Sequence, residues 1–259
     1  MIDNPVLDAL MKRKSIRAYR EQAPSEEMLA TVVRAGERAP FSLQLCTVLL
    51  SRAIDDHPYR APWLFTICVD SHRLELIMAE RKWRMAINDL SLLFFGVQDA
   101  ALMAQNMVIA AESLGLGSCF IGNTPYIAAT VIEQYQLPPR VFPLVQLTMG
   151  YPAEDPPPRP RYPLEFTLFE DSYPEFDADA IKQAMKVMDD RFLAEDYYRA
   201  ANIMIPLQGE REETFDFASY SWTEHISRKA GQWLPLPEPL LGQLKKCGFD
   251  IFGKDEKTK

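Results

Sequence analysis

The sequence predicts a mixed helix-and-strand sandwich of the α+β or α/β class. Short apolar, β-branched runs alternate with segments of helical period. One long apolar segment, residues 90–114, is interrupted by charge only at Asp99 and Glu112, and reads as a buried central helix. With 47% apolar and 25% charged residues over 259 positions, the chain can bury a core without metal or disulfide staples.

Asn4 caps a first helix from Pro5 to about Lys12, with proline at its first position. Ser25 opens a second, with Glu26 and Glu27 in the first turn and Leu29, Val32, Val33 and Ala35 at helical spacing between Pro24 and Pro40. Residues 46–50 and 64–69 read as buried strands. Asp89 is expected to cap the long helix, and Gly115 and Gly117 to end it. A strand at 118–121, a helix at 125–135 and a strand at 141–149 follow. From Pro152 to Pro163 the repeated prolines exclude helix interior and central strand, leaving a stiff extended arm. Residues 179–200 carry Ile181, Ala184, Met185, Met188, Phe192 and Leu193 on one helical face, with no breaker before Pro206. Residues 205–221 are polar and acidic, and the charged tail 254–259 is expected to be disordered. The chain thus reads as a core over 1–178 and a C-terminal helical extension over 179–259.

A net charge of −8 opposes nucleic acid and acidic membranes as partners. The N-terminus lacks the basic start and apolar run of a secretion signal. Cys46, Cys68, Cys119 and Cys247 are far apart, and His57, His72 and His225 have no metal-ligand spacing, so no metal site is expected. The thiols read as those of a reduced, cytoplasmic protein. Asp89, Asp99 and Glu112 read as a cap and helix-surface charges, and Met103 and Met107, one turn apart, as packing residues.

Three constellations could carry chemistry. Arg13, Lys14, Ser15 and Arg17 put three cations and a hydroxyl within five positions, a donor-rich cradle for phosphate. Arg159 and Arg161 are alternate residues of the proline arm, so both guanidinium groups can face one anion. The run 115–123, GLGSCFIGN, lacks the dinucleotide glycine spacing and leads from helix to strand, but Gly122 at a strand end permits close backbone approach to a flat ligand. Taken singly, each has a bland alternative: a basic helix end, a polar break in a proline loop, a compact connection.

Together, RKSIRAY at 13–19, DAALMAQNMVIAAESLGLGSCFIG at 99–122, FPLVQLTMGYPAEDPPPRPRYPL at 142–164 and SWTEHISRK at 221–229 resemble the nitroreductase family of FMN-dependent oxidoreductases, specifically its class A NADPH nitroreductase and flavin reductase group. The resemblance implies an α+β three-layer sandwich, a mixed and mostly antiparallel central sheet flanked by helices, in an intertwined homodimer. It implies FMN contacts from Arg13, Lys14 and Ser15 to the phosphate, and from Arg17 near flavin N1 and O2, where reduced flavin gathers negative charge. It further implies phosphate contacts from Arg159 and Arg161, the second firmer, backbone contacts from Ile121, Gly122 and Asn123, and a partner-subunit contact from Ser42. The implied activity is alternating hydride transfer from NADPH or NADH to a small acceptor such as a nitroaromatic, a quinone or free flavin. A flavin-binding protein of low turnover, or another reaction on the scaffold such as reductive dehalogenation, is the alternative. The chain departs from the class in a short 51–62 stretch without the flavin-recognising glutamine, in Asn123 where glycine is usual, and in an acidic 202–220 region. There Arg211 and, beyond it, Arg228 are the candidates for the nicotinamide nucleotide.

Overall fold

A computed structural model describes residues 2–233 and 236–252, so the expected disordered tail lies outside the described residues. The chain separates into two compact units, Met1–Pro158 with Glu238–Lys259, and Arg159–Pro237. This division falls elsewhere than the expected boundary at 178/179, and it groups the last helix with the first unit.

The first unit contains helices α1 (Pro5–Lys12), α2 (Glu26–Gly36), α3 (His72–Glu80), α4 (Asp89–Ser113), α5 (Ala128–Tyr135) and a C-terminal helix, Glu238–Lys246. Its strands are β1 (Cys46–Ser51), β2 (Trp63–Asp70), β3 (Gly117–Ile121) and β4 (Val141–Gly150), in the order β1-β2-β4-β3 with every neighbouring pair antiparallel. Register aligns Leu50, Phe65, Leu147 and Phe120 in one row. All eight residues of β2 are buried, which is why its sequence runs apolar instead of alternating.

Helix α4 is the core helix. Ala100, Met103, Ala104, Met107 and Val108 pack in one cluster with Val32 of α2 and with Trp63, Phe65, Leu147 and Met149 of the sheet. It is long and apolar enough to cross a membrane by length and composition, but here its apolar face is used against the sheet. Burying a side chain such as Met107 stabilises by about 1.5–3 kcal/mol. Its cap is Asn88, whose Oδ1 accepts the Ser91 N–H at 2.9 Å. Asp89, expected in that role, instead pairs with Arg140 at 2.6 Å and accepts the Asp250 N–H at 2.6 Å. Helix α3 has no buried residue, so its sequence carries no periodic signal, and it escaped the sequence reading.

The second unit holds α6 (Ala178–Ala194), α7 (Tyr197–Ala200) and α8 (Trp222–Gln232). The continuous helix expected from 179 to 200 is broken at Asp196, whose φ of 47° is left-handed; neither glycine nor proline marks the break. Met188, Phe192, Tyr198 and Tyr220 form its apolar centre. Arg228 is buried beside them and donates to Glu213 at 2.6 and 2.7 Å, to Glu224 at 2.7 Å and to the Ile205 carbonyl at 2.8 Å.

Candidate functional site

Leaving α1, the backbone turns extended at Arg13 (φ −54°, ψ 132°) and runs along β3. Ser15 bridges Ser118 in parallel, and the Ile16 N–H donates to the Ser118 carbonyl at 2.9 Å. Gly117 permits this approach, since a Cβ there would come within 2.5 Å of Ile16 Cγ1. Ile16 is buried and Arg17 exposed, as alternation in an extended chain requires.

The far side of the segment is sewn to the continuation of β4. The Ala153 N–H donates to the Ala18 carbonyl and the Arg20 N–H to the Tyr151 carbonyl, both at 2.9 Å. The Tyr19 hydroxyl donates to the Ile16 carbonyl at 2.7 Å and contacts Thr148 Oγ1 at 2.9 Å; burial pushes its pKa well above the usual phenol value. Glu154 accepts the Arg17 N–H, and Asp155 pairs with Lys14. Among the described residues Arg13 makes no ion pair; its charged neighbour is Glu112, whose Oε1 is buried without a hydrogen-bond partner. Burial raises the Glu112 pKa, against the pull of Arg13 and Lys14.

At the other end of β3, Ile121 pairs with Gln146, and Gly122 and Asn123 are exposed. Thr124 fixes the turn, donating to the Ile121 carbonyl at 2.8 Å and accepting the Gln146 N–H at 2.9 Å. A Cβ on Gly122 would meet nothing within 4 Å, so the space beside this backbone is open. One strand therefore holds the cation-rich segment near its start, at Ser118, and presents an open backbone edge at its end.

Ser42 sits on a loop locked by Asp99, which accepts the N–H groups of Ser42 at 2.6 Å, Leu43 at 3.2 Å and Leu45 at 2.9 Å. Asp99 is 2% exposed, so it is not the helix-surface charge expected from sequence; three backbone donors satisfy it in the interior. The loop borders a cavity of about 500 Å³ lined by residues that include Arg38, Phe41, Cys46, Arg73 and Met103. The short 51–62 stretch closes on itself through His57, whose ring nitrogens lie 2.7 Å from the Ala61 carbonyl and 2.7 Å from Ser51 Oγ.

In the second unit Arg159 pairs with Glu195 at 2.8 Å and lies 3.8 Å over the Tyr197 ring, while Arg161 donates to the carbonyls of Arg159 and Pro160 at 3.0 and 2.8 Å. Arg211 is exposed. Arg228 is enclosed by Glu213, Glu224 and Ile205, and its position is that of an internal brace.

These residues suit FMN in two respects. Arg13, Lys14 and Ser15 form a cation and hydroxyl donor set of the kind a phosphate monoester requires, and the open edge at Gly122 leaves room for a flat ring. Sequence reasoning missed Glu154 and Asp155, because the contact between Glu154 and Arg17 joins residues 137 positions apart, and it read Glu112 as a helix-surface charge although its Oε1 is buried.

Comparison with known proteins gives the family. The nitroreductase family model matches residues 47–151. An oxygen-insensitive NADPH nitroreductase of Salmonella typhimurium is 32% identical over 229 residues, covering 87% of this chain and 83% of its own. An FMN reductase (NADPH) of Bacillus subtilis is 29% identical, covering 82% and 88%. The structure of the hypothetical oxidoreductase YcnD from Bacillus subtilis superposes with a TM-score of 0.79 at 26% identity over 96% of this chain and 99% of that one. Sequence identity and fold agree, and the chain belongs to the nitroreductase family of oxidoreductases.

Proposed function

We propose that this chain is an FMN-dependent NAD(P)H oxidoreductase, acting as a cytoplasmic homodimer on small acceptors such as nitroaromatics, quinones or free flavin. The observation that carries this reading is the basic segment 13–17, held in extended form along β3, on the strand whose other end presents an open edge at Gly122. FMN, when bound, supplies the two-electron chemistry, accepting a hydride from the nicotinamide and passing it to the acceptor in a second half-reaction.

The chain's residues bind and orient. Arg13 and Ser15 would hold the phosphate, since among the described residues Arg13 makes no ion pair; in the second unit Arg161, whose guanidinium donates only to backbone carbonyls among the described residues, is the arm's candidate cofactor contact. Lys14 adds charge from its pair with Asp155. Arg159, tied to Glu195 and Tyr197, braces the arm that carries Arg161. Arg17 would supply a cation to the ring of bound flavin, which would favour its reduced state. Ile121, Gly122 and Asn123 line the ring with backbone, and Ser42 reaches the cofactor of the partner subunit. Exposed apolar residues such as Phe94 of α4, 62% exposed, supply the dimer face. The four free cysteines fit a reducing compartment. The names of the relatives support NADPH as donor; Arg211 is the exposed cation for its nucleotide, while Glu210 and Glu212 beside it make NADH the necessary comparison.

The test is FMN retention after gel filtration. Wild type is expected to keep stoichiometric flavin as a dimer, and Arg161→Ala to bind it at least about tenfold more weakly with its fold intact. Full retention by Arg161→Ala overturns the phosphate assignment, and a flavin-loaded monomer in light scattering overturns the shared site.

A further inference from the structure

We infer that Glu154 and Asp155 are positioning residues: they clip the basic segment into the shape in which Arg13, Ser15 and Arg17 meet the cofactor. The inference rests on the flavin reading proposed above.

The segment 13–17 belongs to no helix or strand of its own, and its three cations repel one another over five positions. Its backbone is held at Ile16 by Ser118, at Ala18 by Ala153 and at Arg20 by Tyr151. The Arg17 N–H lies between these points and is taken by the Glu154 carboxylate. Such a charge-assisted bond is roughly twice as strong as a neutral one. The next residue, Asp155, holds Lys14. Two adjacent carboxylates thus grip the segment on both sides of Ser15, one at the Arg17 backbone N–H and one at the Lys14 charge. An exposed ion pair contributes little to stability by itself, and the Asp155 side chain is 89% exposed, so the contact acts on the placement of Lys14. The clip takes hold of a backbone N–H and of Lys14, and it leaves Arg13 and Ser15 for the ligand. The proline run that starts at Pro156 stiffens the chain directly behind it.

The experiment compares wild type, E154A, E154Q, D155A and D155N. Amide exchange at Arg17 is read in the flavin-free protein, FMN dissociation constants by flavin fluorescence, and the midpoint potential of bound flavin by dye equilibration. E154Q keeps an acceptor oxygen and loses the charge. We expect faster Arg17 exchange in E154A and restored protection in E154Q. FMN binding weakens by about tenfold in E154A, the order expected for loss of one charged hydrogen bond, and by several-fold in D155A. E154Q recovers most of the affinity and shifts the midpoint potential upward, because a negative charge beside Arg17 has gone. If E154A does not fold, D155A and E154Q carry the same readouts. Alanine variants that bind FMN as tightly as wild type, or more tightly, with unchanged Arg17 exchange overturn the clip and leave the flavin reading standing. A wild type that retains no FMN overturns both.

Discussion

In the first unit the cations of residues 13–17 lie on extended backbone at the outer side of β3, where Arg17 is exposed and Arg13 makes no ion pair among the described residues. In the second unit Arg228 is turned inward against Glu213, Glu224 and the Ile205 carbonyl, and Arg159 is pinned between Glu195 and Tyr197. A short sequence motif cannot tell these cases apart, because the difference lies in which carboxylates the fold delivers to each guanidinium. The first arrangement leaves Arg13 without an ion pair among the described residues; the second converts charge into internal structure.

The contrast is tested most severely at Arg228. Arg228→Ala leaves Glu213, Glu224 and the Ile205 carbonyl without their donor, at a cost of about 3 kcal/mol, since the carboxylates left behind are partly exposed and can be hydrated. Amide exchange is expected to rise across residues 205–228, and undiminished protection there would show that Arg228 is no brace. Gly117→Ala forces a methyl against Ile16, destabilising the first unit by about 1–3 kcal/mol and displacing the basic segment. Thermal unfolding together with FMN affinity reads both effects, and a variant unchanged in each breaks the link between β3 and the cradle. Asp99→Asn removes a charged acceptor from three backbone N–H groups and is expected to cost about 1–3 kcal/mol, seen as faster exchange at residues 42–45.

A pH dependence sharpens the comparison. Hydrogen bonds from Arg228 hold the Glu213 carboxyl far below its ordinary value of 4.5, at about 2. A depressed carboxylate gives its full stabilisation above the ordinary value, and loses it as pH falls through 4.5 toward 2. Near-ultraviolet circular dichroism of the aromatic cluster should therefore weaken over that range, and Glu213→Gln should flatten the change; an identical profile in the variant removes Glu213 from the account. The smallest stability effect is expected for Arg13→Ala, within about 0.5 kcal/mol, although FMN affinity falls. Destabilisation comparable to Arg228→Ala would place Arg13 with the internal braces.

Much of the fold was legible because local signals and burial agree. Asn4 and Ser25 cap the helices they were expected to cap, and the apolar runs at 46–50, 64–69, 118–121 and 141–149 became the four strands. Where the sequence misled, distant contacts decided. Asp99 resembled a surface charge until the loop at 42–45 brought three N–H groups to it. Asp196 broke a helix with no local mark, and α3, without a buried face, left no periodicity to read. Of the candidate site, the residue types in RKSIRAY pointed to phosphate, but the carboxylates facing Arg17 and Arg159 come from remote positions, 154 and 195, and no spacing rule reaches them.

The central claim is that residues 13–17 and the edge at 121–123 form a flavin site served by a nicotinamide donor. It is tested most directly by the visible spectrum of the FMN-loaded protein under anaerobic addition of NADPH and, separately, NADH. The account predicts a retained flavin spectrum that is bleached by at least one nucleotide and returns when a nitroaromatic or quinone is added. Retained flavin that neither nucleotide bleaches contradicts the oxidoreductase reading, and the absence of retained flavin contradicts the site itself.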